Sequence, residues 1–137
     1  MEKQKDLRKR YYFAYIVLVV VLILQGIDFL AQKLLSTQIN QNFIFGLVSN
    51  NVVLMLVSVV IIVVMICVAA SRINHFFWPA ILIVSGAVSN IISRIIYGGV
   101  IDYIKIWFIP TFNVSDVLII LGFVFLGIKI IFKHDQQ

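Results

Sequence analysis

Two aspartates near the C-terminal end of the sequence, Asp102 and Asp116, have the spacing and setting to do chemistry together. They lie 14 positions apart (116 − 102), and Pro110 between them favours a turn that could bring them back together. Two close carboxylates cannot both ionise easily, so they share one proton. One can then take a proton from water while the other protonates a scissile carbonyl. We interpret them as an aspartyl catalytic pair at a membrane surface.

Each polar residue around this pair also has a structural interpretation. Asn113 fits a helix N-cap, and Asp116 three residues later resembles a capping box, which is compatible with catalysis. Asp102 could be a solvated loop residue. Asp28, inside an apolar stretch, could pair with Lys33 or reach the interface, although ionisable groups at membrane depth are functional candidates by default. The remaining alternatives are a turn residue for Asn40, an interfacial anchor for Arg94 and an interhelical hydrogen bond for Asn90.

The composition places the elements that must position these residues in a membrane. The chain has 137 residues, 62% hydrophobic and 12% charged, with a mean hydropathy of +1.07. Soluble domains carry about 25% charged residues, so we expect one integral membrane domain over residues 1–137. The net charge of +5 does not indicate nucleic-acid binding, because five of the eleven basic residues cluster before Tyr11 and would orient a first span. Cys67 has no cysteine partner, and we expect no metal site.

Four apolar runs are each close to the ~20 residues that cross the hydrocarbon core. An all-α protein with four transmembrane helices is therefore predicted, with a tight turn at Arg72–His75 and longer loops at Ser36–Asn50 and Gly98–Thr111. The predicted spans are Tyr11–Leu35, Asn51–Ser71, Phe76–Tyr97 and Phe112–Phe132.

The distribution of basic residues predicts the orientation. The basic N-terminus, Arg72, Lys129 and Lys133 fall on one side of the predicted bundle. Excess positive charge marks the cytoplasmic face, so both termini are predicted inside and the interval from Asp102 to Asp116 outside, within a small extracellular cap.

Five motifs, in order, resemble those of the lipoprotein signal peptidase (signal peptidase II) family. The family reads D-Q-x-x-K, N-x-G-A-A-F-G-L, G-N-x-x-D-R, V-V-D-F and F-N-x-A-D. The matching segments are GIDFLAQK (26–33), NQNFIFGL (40–47), SNIISR (89–94), VIDY (100–103) and FNVSD (112–116). Together they extend over nearly the whole chain.

The resemblance implies an intramembrane aspartyl endopeptidase of the bacterial plasma membrane. Such an enzyme would cut a prolipoprotein just before its diacylglyceryl-modified cysteine, at the outer membrane face. It would need no cofactor, and its partners would be the lipid-modified substrate and membrane lipids; we expect a monomer. By resemblance, the catalytic pair is Asp102 and Asp116. The resemblance also implies that the pair is oriented, or the substrate backbone held, by Asn90, Arg94 and Asn113. It further implies that Asp28 and Asn40 line the substrate site.

The chain departs from the family pattern at several positions. Ser93 replaces the acid that precedes the arginine in the family motif G-N-x-x-D-R. The segment between the two aspartates also looks shorter than usual in the family. Arg94 would then need a counter-charge elsewhere, with Asp102 or Asp116 as the candidates. Two other functions stay open: a catalytically silent homologue that binds lipidated peptides, and a small proton-coupled transporter that uses Asp28. The other departures are Phe29, Asn42, Ser89 and Ser115.

Overall fold

The computed structural model describes residues 2–40, 51–70 and 76–134, and four helices lie within them. The first helix begins nine residues before the predicted Tyr11 (11 − 2), because the charged N-terminal residues are themselves good helix formers. The predicted turn at Arg72–His75 lies outside the described residues. The helices are α1 (Glu2–Leu34), α2 (Asn51–Ala70), α3 (Phe77–Tyr97) and α4 (Val114–His134).

Three of these helices contain segments long and apolar enough to cross a membrane, namely Leu7–Leu34, Phe77–Tyr97 and Val114–Phe132. Within the described part of α2, the apolar segment Leu56–Cys67 is shorter. The segments in α1 and α4 leave most of their apolar side chains exposed, whereas the one in α3 is largely buried. Exposed apolar helix faces of this extent are expected where lipid replaces water as the surrounding medium. The mostly helical membrane architecture is therefore confirmed.

Helix α3 is the central element, because α1, α2 and α4 all pack against it. Two glycines allow a close approach between α3 and α4. A Cβ atom at Gly86 would lie 2.5 Å from the backbone oxygen of Ser115, and one at Gly122 would lie 2.5 Å from Ile83. Real Cβ atoms are not found this close to backbone, so Gly86 sets the distance between α3 and the first turn of α4.

The segments predicted as loops contain four short strands. Strand β1 (Gln38–Asn40) pairs antiparallel with β2 (Val100–Asp102), and β3 (Ile104–Ile106) pairs antiparallel with β4 (Ile109–Phe112). The loop prediction is therefore wrong for these strand residues, because strands of three or four residues are too short to show a period-2 pattern.

Glycines also fix the path from α3 into β2. Gly98 ends α3 in the left-handed conformation, with φ of 74°, and its N–H donates to the carbonyl of Arg94. A Cβ atom at Gly99 would lie 2.8 Å from the backbone oxygen of Asn40, so only glycine permits β1 to approach this closely. This pairing brings residues 40 and 102, distant in sequence, to one end of the helices.

Candidate active site

Asp102 is the last residue of β2, and only 2% of its surface is exposed. Both carboxylate oxygens accept hydrogen bonds from asparagine side chains. Asn40 Nδ2 donates to Oδ2 at 2.8 Å, and Asn113 Nδ2 donates to Oδ1 at 3.3 Å. The pKa of Asp102 is raised to about 6, mainly by burial and also by the negative charge of Asp116, while the two amide donors and the Arg94 charge oppose the shift.

Asp116 is held by a reciprocal cap at the start of α4. Its backbone N–H donates to Asn113 Oδ1 at 2.9 Å, and its Oδ2 accepts from the backbone N–H of Asn113 at 3.4 Å. This is the capping box that the sequence predicts, with Asn113 as the N-cap and an acid at the third helical position. The cap fixes the carboxylate of Asp116 at the beginning of the span.

Two asparagines connect the carboxylates across three elements. Asn90, on α3, donates from Nδ2 to Asp116 Oδ1 at 2.8 Å. Its Oδ1 accepts from Asn113 Nδ2 at 3.3 Å, and this same amide group also donates to Asp102. The structure therefore brings Asn40, Asn90, Asp102, Asn113 and Asp116 into one hydrogen-bonded network, and each carboxylate keeps a fixed orientation within it.

Arg94 supplies positive charge beside this network. It is 8% exposed and interacts electrostatically with Asp116 first and with Asp102 second. These are the two counter-charges that the sequence analysis considers for Arg94 when Ser93 replaces the family acid. A buried guanidinium near two carboxylates reduces their repulsion, so the pair can exist with a net negative charge.

Asp28 belongs to a second polar cluster, between α1 and α3. It is 1% exposed, and its Oδ2 accepts a hydrogen bond of 3.2 Å from Ser93 Oγ. Gln25 Nε2 donates to Ser89 Oγ at 3.0 Å and to Ser93 Oγ at 3.4 Å. The structure thus places Asp28 in contact with Ser93. Asp28 also interacts electrostatically with Tyr103 and with Asp116.

Sequence reasoning missed Gln25 and Tyr103. Tyr103 OH accepts a hydrogen bond of 3.4 Å from the backbone N–H of Val114, the first residue of α4. The pKa of Tyr103 is raised to about 12, mainly by burial, with smaller contributions from the nearby charges of Asp28 and Asp116. A usable signal existed for Gln25, because it lies three positions before Asp28 and therefore shares its helix face.

The carboxylate site is not identified by a cavity or by a cluster of metal ligands. A cavity of about 530 Å³ lies between α1, α2 and α3, and none of the described residues that line it carries a carboxylate. It includes Phe13, Val17 and Val84. Among the described residues, no group of three or more histidine, cysteine, aspartate or glutamate side chains could hold a metal ion. The polar network identifies the site because buried polar groups in an apolar protein are costly unless they are paired.

The fold and this network define a helical membrane protein in which asparagine side chains connect two buried aspartates. A family model described as signal peptidase (SPase) II matches residues 6–132. The chain belongs to the signal peptidase II family, as the motifs predict. Its membership and its spans together indicate a bacterial membrane protein.

Individual relatives agree with this assignment. The lipoprotein signal peptidase of Clostridioides difficile strain 630 is 36% identical over 103 residues, which cover 72% of this chain and 70% of the relative. The lipoprotein signal peptidase of Chlamydia pneumoniae is 43% identical over 60 residues, or 41% of this chain. That of Janthinobacterium sp. strain Marseille is 35% identical over 65 residues, or 44%. The chain spans about a third of the length of these last two relatives, 36% of each.

Two solved structures share the fold. One is a bacterial membrane enzyme determined by the in meso method at 2.3 Å resolution, with a TM-score of 0.82 and 16% identity over 92% of this chain and 91% of that one. The other, determined by the same method at 1.9 Å, has a TM-score of 0.76 and 17% identity, covering 88% and 92%. At these identities the similarity concerns the fold alone.

Proposed function

We propose that this protein is an intramembrane aspartyl endopeptidase that removes signal peptides from diacylglyceryl-cysteine prolipoproteins. The observation that carries the proposal is the shared position of Asn113. Its amide donates to Asp102, while its carbonyl oxygen and backbone N–H hold Asp116. One residue therefore orients both carboxylates. Family membership and relatives named lipoprotein signal peptidase support the same reaction.

The pair would work as one unit that shares a proton. The ionised carboxylate takes a proton from a water molecule, and the water oxygen attacks the scissile carbonyl carbon. The protonated carboxylic acid gives its proton to the carbonyl oxygen as the tetrahedral intermediate forms. When the intermediate collapses, the C–N bond breaks, the leaving amine takes a proton from the pair, and a hydroxyl of the intermediate returns a proton to the pair as the product carboxyl group forms. Because Asp102 and Asp116 are coupled, the two protonation steps belong to the pair and not to either residue.

The other site residues would position the pair or the substrate. Asn90 and Asn113 orient the two carboxylates through the hydrogen bonds described above. Arg94 would limit repulsion between them, and both Asn113 and Arg94 could hold substrate backbone. Asp28 and Asn40 would line the substrate site, Asn40 from β1 and Asp28 from α1.

The topology that fits this reaction has four spans in a single domain over residues 1–137, with both termini cytoplasmic and a monomeric enzyme. Strands β1 to β4 would form the small extracellular cap, beside the end of α3 and the start of α4. Cysteines placed at Gln38 and Gln137 in a Cys67→Ala background should label from opposite membrane faces. Labelling from the same face would contradict this topology.

The experiment that tests the proposed substrate compares a lipidated precursor with its unmodified form. A diacylglyceryl group supplies two acyl chains, enough for stable anchoring where one chain is marginal. We expect the lipidated precursor to be cut and to shift on a gel, and the unmodified one to be cut far more slowly. Equal rates would point to another kind of protease. No cleavage of either form would leave a silent lipopeptide-binding homologue as the better description.

A further inference from the structure

The tip of the β3–β4 hairpin exposes four consecutive apolar side chains. Trp107 and Phe108 form the turn and are 101% and 86% exposed, and Ile106 and Ile109 on either side are 44% and 41% exposed. Lone exposed apolar residues need no explanation, but a contiguous patch with two aromatic rings marks an interaction surface. None of these residues belongs to the polar network of the carboxylates.

The place of the hairpin in the fold indicates what covers this tip. The hairpin lies between the C-terminal end of α3 at Tyr97 and the first residue of α4, Val114, so both of its ends adjoin membrane spans. Strands of three and four residues extend only about 10–13 Å at ~3.3 Å per residue. The headgroup layer on each side of a bilayer is about 5–8 Å thick. The tip is therefore within reach of the adjacent leaflet.

The chemistry of the tip fits a lipid interface better than a protein partner. Tryptophan rings favour the boundary between headgroups and acyl chains. Lys105, exposed at the edge of the tip, can lay its apolar stem along the boundary and keep its charge among the headgroups. Two aromatic side chains bury about 150–250 Å² each. Even if both rings were completely buried, the buried area would be less than the roughly 800 Å² per partner of a stable protein interface.

We propose that the β3–β4 hairpin inserts Trp107 and Phe108 into the headgroup–acyl boundary of the leaflet beside the carboxylate pair. The hairpin is connected to both carboxylates. Strand β3 begins two residues after Asp102, and the N–H of Tyr103 donates to the carbonyl of Phe112 at 3.2 Å, just before the Asn113 cap. An anchored tip thus fixes the depth of the pair relative to the membrane surface. The insertion itself does not depend on the proposed peptidase activity.

The sequence makes this insertion measurable, because it contains only two tryptophans. In a Trp78→Phe variant, Trp107 is the only indole fluorophore. The variant is reconstituted into phosphatidylcholine–phosphatidylglycerol vesicles whose acyl chains carry bromine either near the headgroup or near the bilayer centre. We expect blue-shifted emission that shallow bromines quench at least twofold more strongly than deep ones. The matched control is Trp107→Phe, which leaves Trp78 in the first turns of α3 to report quenching of a tryptophan near a span end.

A second variant tests the tip as a unit. Phe108→Glu places a charge beside Trp107 at an exposed position, so we expect unchanged thermal melting in detergent and a severalfold loss of shallow quenching. Asp116→Asn in the Trp78→Phe background should leave the quenching unchanged, which separates insertion from catalysis.

Three results would overturn the proposal. Emission typical of water-exposed tryptophan, with no quenching by either bromine position, would show that the tip lies in water. Quenching that occurs only after lipidated precursor is added would show that the tip contacts the substrate and does not insert into lipid by itself. Trp107 emission that changes when the protein-to-lipid ratio is lowered in the same lipid mixture would show that the tip contacts a second copy of the chain.

Discussion

Replacement of Asn40 by alanine should move the basic limb of the activity profile to higher pH. Asn40 Nδ2 donates to Asp102 Oδ2 at 2.8 Å, and this hydrogen bond favours the ionised carboxylate. Hydrogen bonds to charged groups contribute about 1.5–3 kcal/mol. At 1.36 kcal/mol per pKa unit, complete loss would raise the pKa of Asp102 by roughly 1–2 units. Because water can replace part of the bond at half-buried Asn40, we expect roughly 0.5–1 unit.

The direction of this shift in the basic limb follows from the proton that the two carboxylates share. The pair needs one proton to act, and burial is the main cause that raises the pKa of Asp102 to about 6. Activity should therefore fall as rising pH removes the last proton of the pair, a step to which Asp102 contributes. Without the Asn40 donor the pair keeps its proton to higher pH. The assay is the pH dependence of kcat/KM for a lipidated precursor, which reports the protonation of the free enzyme.

The matched control is Gln38→Ala on the same strand. Gln38 is exposed and accepts a hydrogen bond of 3.2 Å from Thr111 Oγ1, not from a residue of the carboxylate network. Its removal should leave the basic limb in place. A limb that stays fixed or moves to lower pH in Asn40→Ala would refute the reasoning, as would an equal shift in both variants.

Three further predictions concern packing, the cap of α4 and the departure at residue 93. Gly86→Ala should destabilise the protein by about 1–3 kcal/mol, since its Cβ would overlap the α4 backbone; Gly127→Ala, with nothing within 4 Å, should unfold like the parent in detergent melts. Tyr103→Phe removes the acceptor of the first amide of α4 and should cost about 0.5–1.5 kcal/mol and lower kcat; unchanged melting and kcat would contradict that role. Ser93→Asp adds the family acid beside Asp28 and next to Arg94 in sequence, where it can draw the Arg94 charge away from the pair. This variant should stay active with its acidic limb at higher pH, whereas Ser93→Asn should leave the limb unchanged; an inactive parent with an active Ser93→Asp would mean a silent homologue.

The parts of the site that could be predicted are those set by local sequence. The cap at Asn113 and Asp116 requires only residues three positions apart and the start of an apolar run, so its geometry follows from the sequence. The apolar runs likewise predict the helices to within a few residues, apart from the early start of α1 in charged helix-forming residues.

The parts that could not be predicted depend on pairing between distant segments. The hydrogen bond between Asn40 and Asp102 exists because β1 pairs with β2 across 62 positions of sequence, and three-residue strands give no periodic signal. The cluster of Gln25, Asp28 and Ser93 depends on the rotation of α1 against α3, which apolar composition does not determine. Resemblance identified Asp28 as a site residue, but not its hydrogen bond to Ser93.

The most direct test of the central claim is the cleavage rate of a lipidated precursor by the parent, Asp102→Asn and Asp116→Asn. Asn cannot carry the shared proton, so each substitution should abolish cleavage while the protein remains folded in detergent. The matched control is Asp6→Asn, 22 positions before Asp28 on α1 (28 − 6) and so about 33 Å along the helix, which should retain parental activity. Activity within about tenfold of the parent in Asp102→Asn or Asp116→Asn would contradict the account and move the chemistry away from this pair.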